Sequence, residues 1–431
     1  MRSKMTITIR KKSQPQILAG LLILMPLFIG ALAELSGALY SVRYLMDAVW
    51  LLLLVLMMRF GKRLPFQGMK SMVAWVVLFF LYALLSYIPQ YQSGLYFLWA
   101  ARNNFRFYVA FFAFAVFLTD RDIKSSLSLY DKVFWLNFLV SLIQFFLFDL
   151  EQDYLGGIFG AERGTNGYSN IFMVLVMTKS IVFYLDKQEN ALQCFSKCIA
   201  SLLVAALAEM KFFFFEFILI IILATVYTDF SWRKLLIVVG GVACTFAGAA
   251  LLTQIFPYFS DWFSLEWLLE TALSTVGYTG SGDLNRLTAI PSINLMWLKN
   301  WGLQLFGLGM GNCETSSVAV LNTPFFRANG DYHYSWISYA MMYLECGWIG
   351  LVFYFSFFAM LYFKLVRIQK RADAVLRPYC VIAKITVIMA VLLCVYNNTM
   401  RAEPAYMMFL FLAMPFALRS NRTASVSEQR I

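Results

Sequence analysis

Residues 197–228 read KCIASLLVAALAEMKFFFFEFILIIILATVYT, and how this stretch is divided decides the topology of the whole chain. Two apolar runs meet at Glu209-Met210-Lys211 with only about four residues between them. They form either a tight helical hairpin or one long interrupted segment. The hairpin is the better reading, because two spans here restore a consistent charge asymmetry to every other loop.

Outward from this point the chain is a succession of similar runs, near 17–35, 44–58, 71–88, 95–119, 132–148, 168–185, 197–209, 212–228, 235–254, 337–363, 379–396 and 403–418. That predicts an all-α polytopic membrane protein of about twelve transmembrane helices, forming a single domain over 1–431. The composition agrees: 61% of residues are hydrophobic and 14% charged, outside the range of soluble domains. The run beginning at Ile17 follows a basic segment but lacks a small-residue cleavage site, so it reads as a retained first helix.

With the N-terminus in the cytoplasm, alternate loops and both tails carry about 24 of the 35 lysines and arginines. Both termini are therefore expected inside, with 419–431 as a disordered cytoplasmic tail. The net charge of +11 follows from this topology; the cations gather on no single soluble face, which argues against a nucleic-acid partner. The outer-face cations are mostly arginine (Arg43, Arg102, Arg106, Arg163, Arg286, Arg327 and Arg401), against Lys211 and Lys299. Arginine's planar fork suits phosphate oxygens, although chance placement explains the bias equally well. Lys179 and Lys384 lie within spans and are expected to snorkel to the cytoplasmic surface.

Seven scattered cysteines without a C-x-x-C pair indicate neither a zinc site nor a disulfide framework. No cofactor or metal is expected. Asp120-Arg121-Asp122 has the look of a metal-binding D-x-D, but in a short cytoplasmic loop with no α/β domain around it. Asp149, Glu151 and Asp153 share an outer loop and read as solvent-exposed acids.

One long interruption, 255–336 between the ninth and tenth runs, is the place to seek chemistry. Ser260 to Val276 reads as an amphipathic interfacial helix. Asp283 is placed to cap a helix whose first turn holds Arg286, an arrangement suited to an anion. The Gly307-Leu308-Gly309-Met310-Gly311 run lacks a phosphate loop's lysine, and reads as a turn that lets backbone pass close to another helix. His333, the only histidine, precedes Tyr334 and a span containing Glu345-Cys346-Gly347-Trp348-Ile349-Gly350.

Elsewhere, Arg102 and Arg106 stand one helical turn apart near the outer end of the fourth span. They would repel one another without an anion, unless they snorkel or pair with an acid. Glu216 lies among phenylalanines and isoleucines, where a basic partner or a wet cavity is expected.

The order Arg286, aromatic helix, glycine turn, His333, Glu345-Cys346-Gly347-Trp348-Ile349-Gly350 resembles the O-antigen polymerase and ligase family, its specific part covering about 281–350. Where that family usually has asparagine after the histidine, this chain has Tyr334. The resemblance implies a metal-independent inverting glycosyltransferase of the bacterial cytoplasmic (inner) membrane. Its substrate would be an oligosaccharide linked to polyprenyl (undecaprenyl) diphosphate, used at the outer face among membrane lipids and beside a flippase and a chain-length regulator. With this resemblance, His333 and Arg286 are expected to be catalytic; taken together with the arginine spacing and the buried acid above, Arg102, Arg106, Lys211 and Arg327 are expected to bind the diphosphate, and Glu216 and Tyr334 to support the site. A repeat-unit polymerase is the leading expectation; a ligase onto a lipid core, or a flippase for lipid-linked sugars, are the alternatives.

Overall fold

The computed structural model describes residues 13–35, 37–61, 68–229, 231–255, 257, 274 and 282–428, and among them every regular element is helical. Nine helices precede the long interruption: α1 (Gln14–Leu35), α2 (Leu45–Phe60), α3 (Lys70–Tyr87), α4 (Gly94–Phe117), α5 (Asp120–Phe148), α6 (Asn166–Leu185), α7 (Ala191–Leu207), α8 (Lys211–Tyr227) and α9 (Trp232–Ile255). Three short ones lie within it, α10 (Ala289–Met296), α11 (Trp301–Phe306) and α12 (Pro324–Asn329). Three long ones follow: α13 (Ser338–Gln369), α14 (Arg377–Tyr396) and α15 (Ala405–Glu428). Each apolar run of the sequence falls on one of the longer helices. Among the described residues seven helices are long and apolar enough to cross a membrane, the pattern of a multi-pass membrane protein.

The hairpin at 208–210 is present. α7 ends at Leu207, Glu209 takes the left-handed conformation (φ 51°), and the Met210 amide reaches back to the Ala205 carbonyl at 2.8 Å. This is a helix stop normally built on glycine. Here a glutamate provides it, and α8 starts at once with Lys211.

The centre of the bundle is α4, α6, α14 and α15. Every residue of α6 from Ser169 to Leu185 is buried, and α15 packs along α4 and against α14 and α6. α2, α3, α5 and α9 lie outside and expose Leu52, Leu85, Phe146 and Phe246, apolar surface that only lipid or another apolar partner would cover.

Several expectations are corrected. α15 continues as helix to Glu428, so residues 420–428 are helical where a disordered tail was expected; they hold no glycine or proline to stop helix propagation. Lys179 does not snorkel. It is buried in a quartet with Asp131, Glu189 and Lys197, in which Lys197 Nζ lies 2.6 Å from Asp131 and 2.8 Å from Glu189. Two cations and two carboxylates compensate one another there, so neither lysine needs to reach solvent. Lys384 is also buried, its Nζ 3.5 Å from the centre of the Tyr227 ring. The amphipathic helix expected over 260–276 lies outside the described residues apart from Ser274. All seven cysteines are free thiols, six of them buried and Cys244 half-buried.

Candidate functional site

α4 is the element on which the site is built. Ser93 caps its start by accepting from the Leu95 amide, and the helix then runs straight through Arg102 and Arg106. Both arginines are already matched by acid. Arg102 makes a two-pronged contact with Asp47 of α2, Nε donating to Oδ1 and Nη2 to Oδ2, each at 2.9 Å. Arg106 is fully buried and donates to Glu403, just before α15, at 3.2 Å; Glu403 also lies 3.8 Å from Arg102 and Asp47 lies 3.9 Å from Arg106. The pair is therefore held by two carboxylates distant in sequence, with no anion required to keep it together.

A second arm brings Glu314 and Arg401 to the same place, and the glycine turn explains how. Gly307 (φ 74°) lies against the Glu345–Cys346 backbone and Gly347 (φ 60°) against Leu305, where a Cβ would come within 2.3 Å and 2.4 Å of carbonyl carbons. Gly347 also kinks α13. Backbone thus passes directly over backbone, as expected of the run. Glu345 then fastens the following turn, its Oε1 accepting from the Gly311 amide at 2.9 Å and the Cys313 amide at 3.1 Å. From the other side the Tyr334 hydroxyl donates to the Cys313 carbonyl at 2.8 Å.

Glu314 emerges from this clamp to bind Arg401 and to accept from the Asn103 amide at 3.2 Å. Arg401 is secured twice more: its Nε donates to Asn104 at 3.3 Å, and its carbonyl accepts from Arg106 at 3.0 Å. Burial alone would lower the Arg401 pKa, but Glu314 and Glu345 outweigh it and hold the guanidinium's pKa above its ordinary value. Burial likewise pushes the Tyr334 hydroxyl upward, which keeps it a neutral donor.

Arg102, Arg106, Arg401, Asn103, Glu314 and Glu403 line a cleft made of two adjoining pockets that share Arg43 and Glu403. Its larger half, ≈ 280 Å³, is bounded by Arg43, Arg102, Arg106 and Arg401, with Asn103, Ser316, Ser317 and Asn398 supplying further polar groups. One wall is aromatic: Arg102 lies over Trp99 at 4.7 Å and Tyr44 at 5.9 Å, and Trp99 is fixed by its indole donating to the Thr315 carbonyl at 3.2 Å. A smaller half, ≈ 130 Å³, shares Arg43 and Glu403 with the first and extends to Glu162, Arg163, Thr165 and Tyr168. A polar cavity with fixed arginines beside an aromatic face suits an anionic group attached to a ring-shaped ligand.

The other sequence candidates are placed differently. Arg286 is not in the first turn of a helix: α10 starts at Ala289, and Asn285 rather than Asp283 caps the local turn by accepting from the Leu287 amide. Its Nε donates to the Tyr396 carbonyl at 2.6 Å, and the guanidinium lies 4.7 Å from the Tyr396 ring centre. Lys211 stands close enough to Arg286, Glu209 and Asp153 to feel their charges. Asp153 in turn pairs with Arg163 at 3.6 Å, and Arg163 lies over Trp336, on which His333 is stacked at 3.7 Å. Contacts through Trp336 and Arg163 thus connect His333 to the smaller half of the cleft, although neither His333 nor Arg286 lines it.

Arg327 is exposed on α12, away from the cleft, with a 3.5 Å contact to the Ala319 carbonyl. Tyr334 is a buried strut. Among the described residues Glu216 is buried without the basic partner expected of it: Asn170 donates to Oε2 at 2.9 Å, and Oε1 makes no hydrogen bond. The Asp120-Arg121-Asp122 sequence is a helix start, Asp122 closing a capping box with Thr119. Asp153 also accepts from Asn166 at 3.2 Å.

What the sequence reading missed is the set of carboxylates Asp47, Glu314 and Glu403. Their only signal was to be acids at the same predicted end of the bundle as the arginines. Compared with known protein families and with curated proteins, the chain matches none.

Proposed function

We propose that the protein is a polysaccharide repeat-unit polymerase, transferring glycan from a polyprenyl diphosphate carrier to a sugar of a second lipid-linked unit. The observation that carries this reading is the cleft itself: four arginines, three of them held by carboxylates, beside a Trp99–Tyr44 wall, where several interhelical connections meet. In this reading all twelve apolar helices cross the bacterial inner membrane, and the charge asymmetry puts those connections on the outer face.

The chemistry follows from the groups available. An acceptor hydroxyl oxygen attacks the anomeric carbon from the side opposite the diphosphate, and the bond from that carbon to the diphosphate oxygen breaks. The electron pair leaves on the diphosphate, and the hydroxyl's proton neutralises one of the charges formed. Fixed guanidiniums stabilise the departing anion as it develops, and because they are already held by Asp47, Glu314 and Glu403 they need little reorganisation. His333 stands one layer behind the cleft, stacked on Trp336, which Arg163 covers, and in this reading it and Arg286 assist the transfer from there.

The test is synthesis of polymer by the purified protein in detergent from lipid-linked repeat units. A product ladder that forms with no membrane gradient supports a polymerase, and its absence with well-folded protein overturns the reading. In a deletion strain, loss of long chains with single units still attached supports polymerase; loss of every attached unit would make the protein a ligase. Arg286→Ala and His333→Ala are expected to lower ladder formation by about tenfold or more while membrane insertion is retained. Normal ladders from both variants would remove them from the mechanism.

A further inference from the structure

We infer that the smaller half of the cleft is the acceptor subsite, and that it takes an uncharged sugar. This rests on the proposed polymerase reading, which requires two substrates but does not say where each one lies. The two halves differ in chemistry. The larger has four guanidiniums against Glu314 and Glu403, an excess of positive charge. In the smaller, Arg43 and Arg163 are balanced by Glu162 and Glu403, and Thr165, Tyr168 and two glycines of the 156–165 loop complete the wall. A lining without net charge offers a diphosphate no particular attraction, whereas acid, hydroxyl and amide groups are ordinary partners for sugar hydroxyls.

The 156–165 wall is also unusually well fixed for a connection. Gln144 of α5 accepts from the Gly157 amide at 2.6 Å and donates to the Gly157 carbonyl at 3.0 Å, and Asn137 accepts from the Ile158 amide at 3.0 Å. Thr165 closes the loop on itself by donating to the Gly160 carbonyl at 3.1 Å. A neutral ligand offers no strong electrostatic attraction, so affinity depends on a wall that does not have to be ordered on binding.

The rim supplies what a sugar's apolar face requires. Trp336 is 41% exposed, stacked on His333 within 7° of parallel, and borders the cleft through Arg163. An aromatic plane held in place beside hydrogen-bonding groups is a platform for a sugar ring. Arg43 and Glu403, common to both halves, then mark where the acceptor hydroxyl meets the anomeric carbon.

The experiment uses the full-length protein in detergent and two probes: undecaprenyl diphosphate, and the delipidated repeat-unit oligosaccharide released from the producing cells. Glu162 and Trp336 are exposed, so Glu162→Gln and Trp336→Ala leave the core intact. Each is expected to weaken oligosaccharide binding, followed by saturation-transfer NMR, about tenfold, with undecaprenyl diphosphate affinity within about twofold of wild type. If wild type binds both probes and both variants keep their oligosaccharide affinity, the subsite assignment falls while the polymerase reading stands. If the variants lose undecaprenyl diphosphate instead, this half is the donor's. If wild type binds neither probe, both readings fall together.

Discussion

Arg401→Met is the substitution that most directly separates support from function in the cleft. It deletes the guanidinium and leaves Glu314, whose side chain is 2% exposed, with the Asn103 amide as its remaining side-chain donor. Removing one partner of a buried ion pair costs about 3–5 kcal/mol, because the other charge stays buried and uncompensated. Loss of the Asn104 contact adds to this; retained methionine volume limits the cavity. Adding Glu314→Gln removes the stranded charge while keeping an acceptor for Asn103. The double variant is therefore expected to recover most of the lost stability, within about 1–2 kcal/mol of wild type.

Turnover should not follow. If the Arg401 guanidinium contacts a diphosphate, the double variant has regained its fold but not that contact, and ladder formation stays low by about two orders of magnitude. Thermal unfolding in detergent and the ladder assay, run on the same preparations, read the two quantities apart. A double variant that regains both would reduce Arg401 to a strut. An unchanged melting temperature in the single variant would contradict the buried pair itself.

Two further outcomes test the framework around the cleft. Gly347→Ala puts a Cβ within 2.4 Å of the Leu305 carbonyl carbon at a positive φ, so the kink of α13 and the glycine turn must separate; a sharp fall in folded, monodisperse yield is expected, and normal yield with normal melting would refute the interlock. Lys179→Met leaves the quartet with one cation for two carboxylates and should destabilise by about 3 kcal/mol; adding Asp131→Asn should restore much of it, and no change in melting for the single variant would refute the quartet.

Most of the helical framework was legible in the sequence because it rests on one physical term, the exclusion of apolar surface from water, which leaves a run of the required length wherever a helix lies. The glycine turn was legible for a similar reason: few residues permit backbone to pass over backbone. What could not be read was pairing. Asp47, Glu314 and Glu403 meet their arginines across 55, 87 and 297 positions of chain, and no local pattern encodes such distances. Lys179 failed for the same reason, since its partner Asp131 lies on another helix. Arg286 was displaced from its expected helix start because Asn285, a residue that competes for nearby backbone amides, made its own turn first. Glu209 supplied a left-handed stop that sequence would assign to glycine, so the hairpin was inferred from charge balance rather than from its turn.

The burial of six of the seven thiols has a practical use. Reagents that cannot cross a bilayer need an accessible sulfur, and the natural chain offers almost none, so a reporter cysteine can be added without first stripping the protein of its own. Ser317, exposed at the rim of the arginine cleft, and Lys187, exposed in the connection between α6 and α7, are suitable positions. Labelled one at a time in intact cells, they would give the orientation of the bundle from a single substitution each.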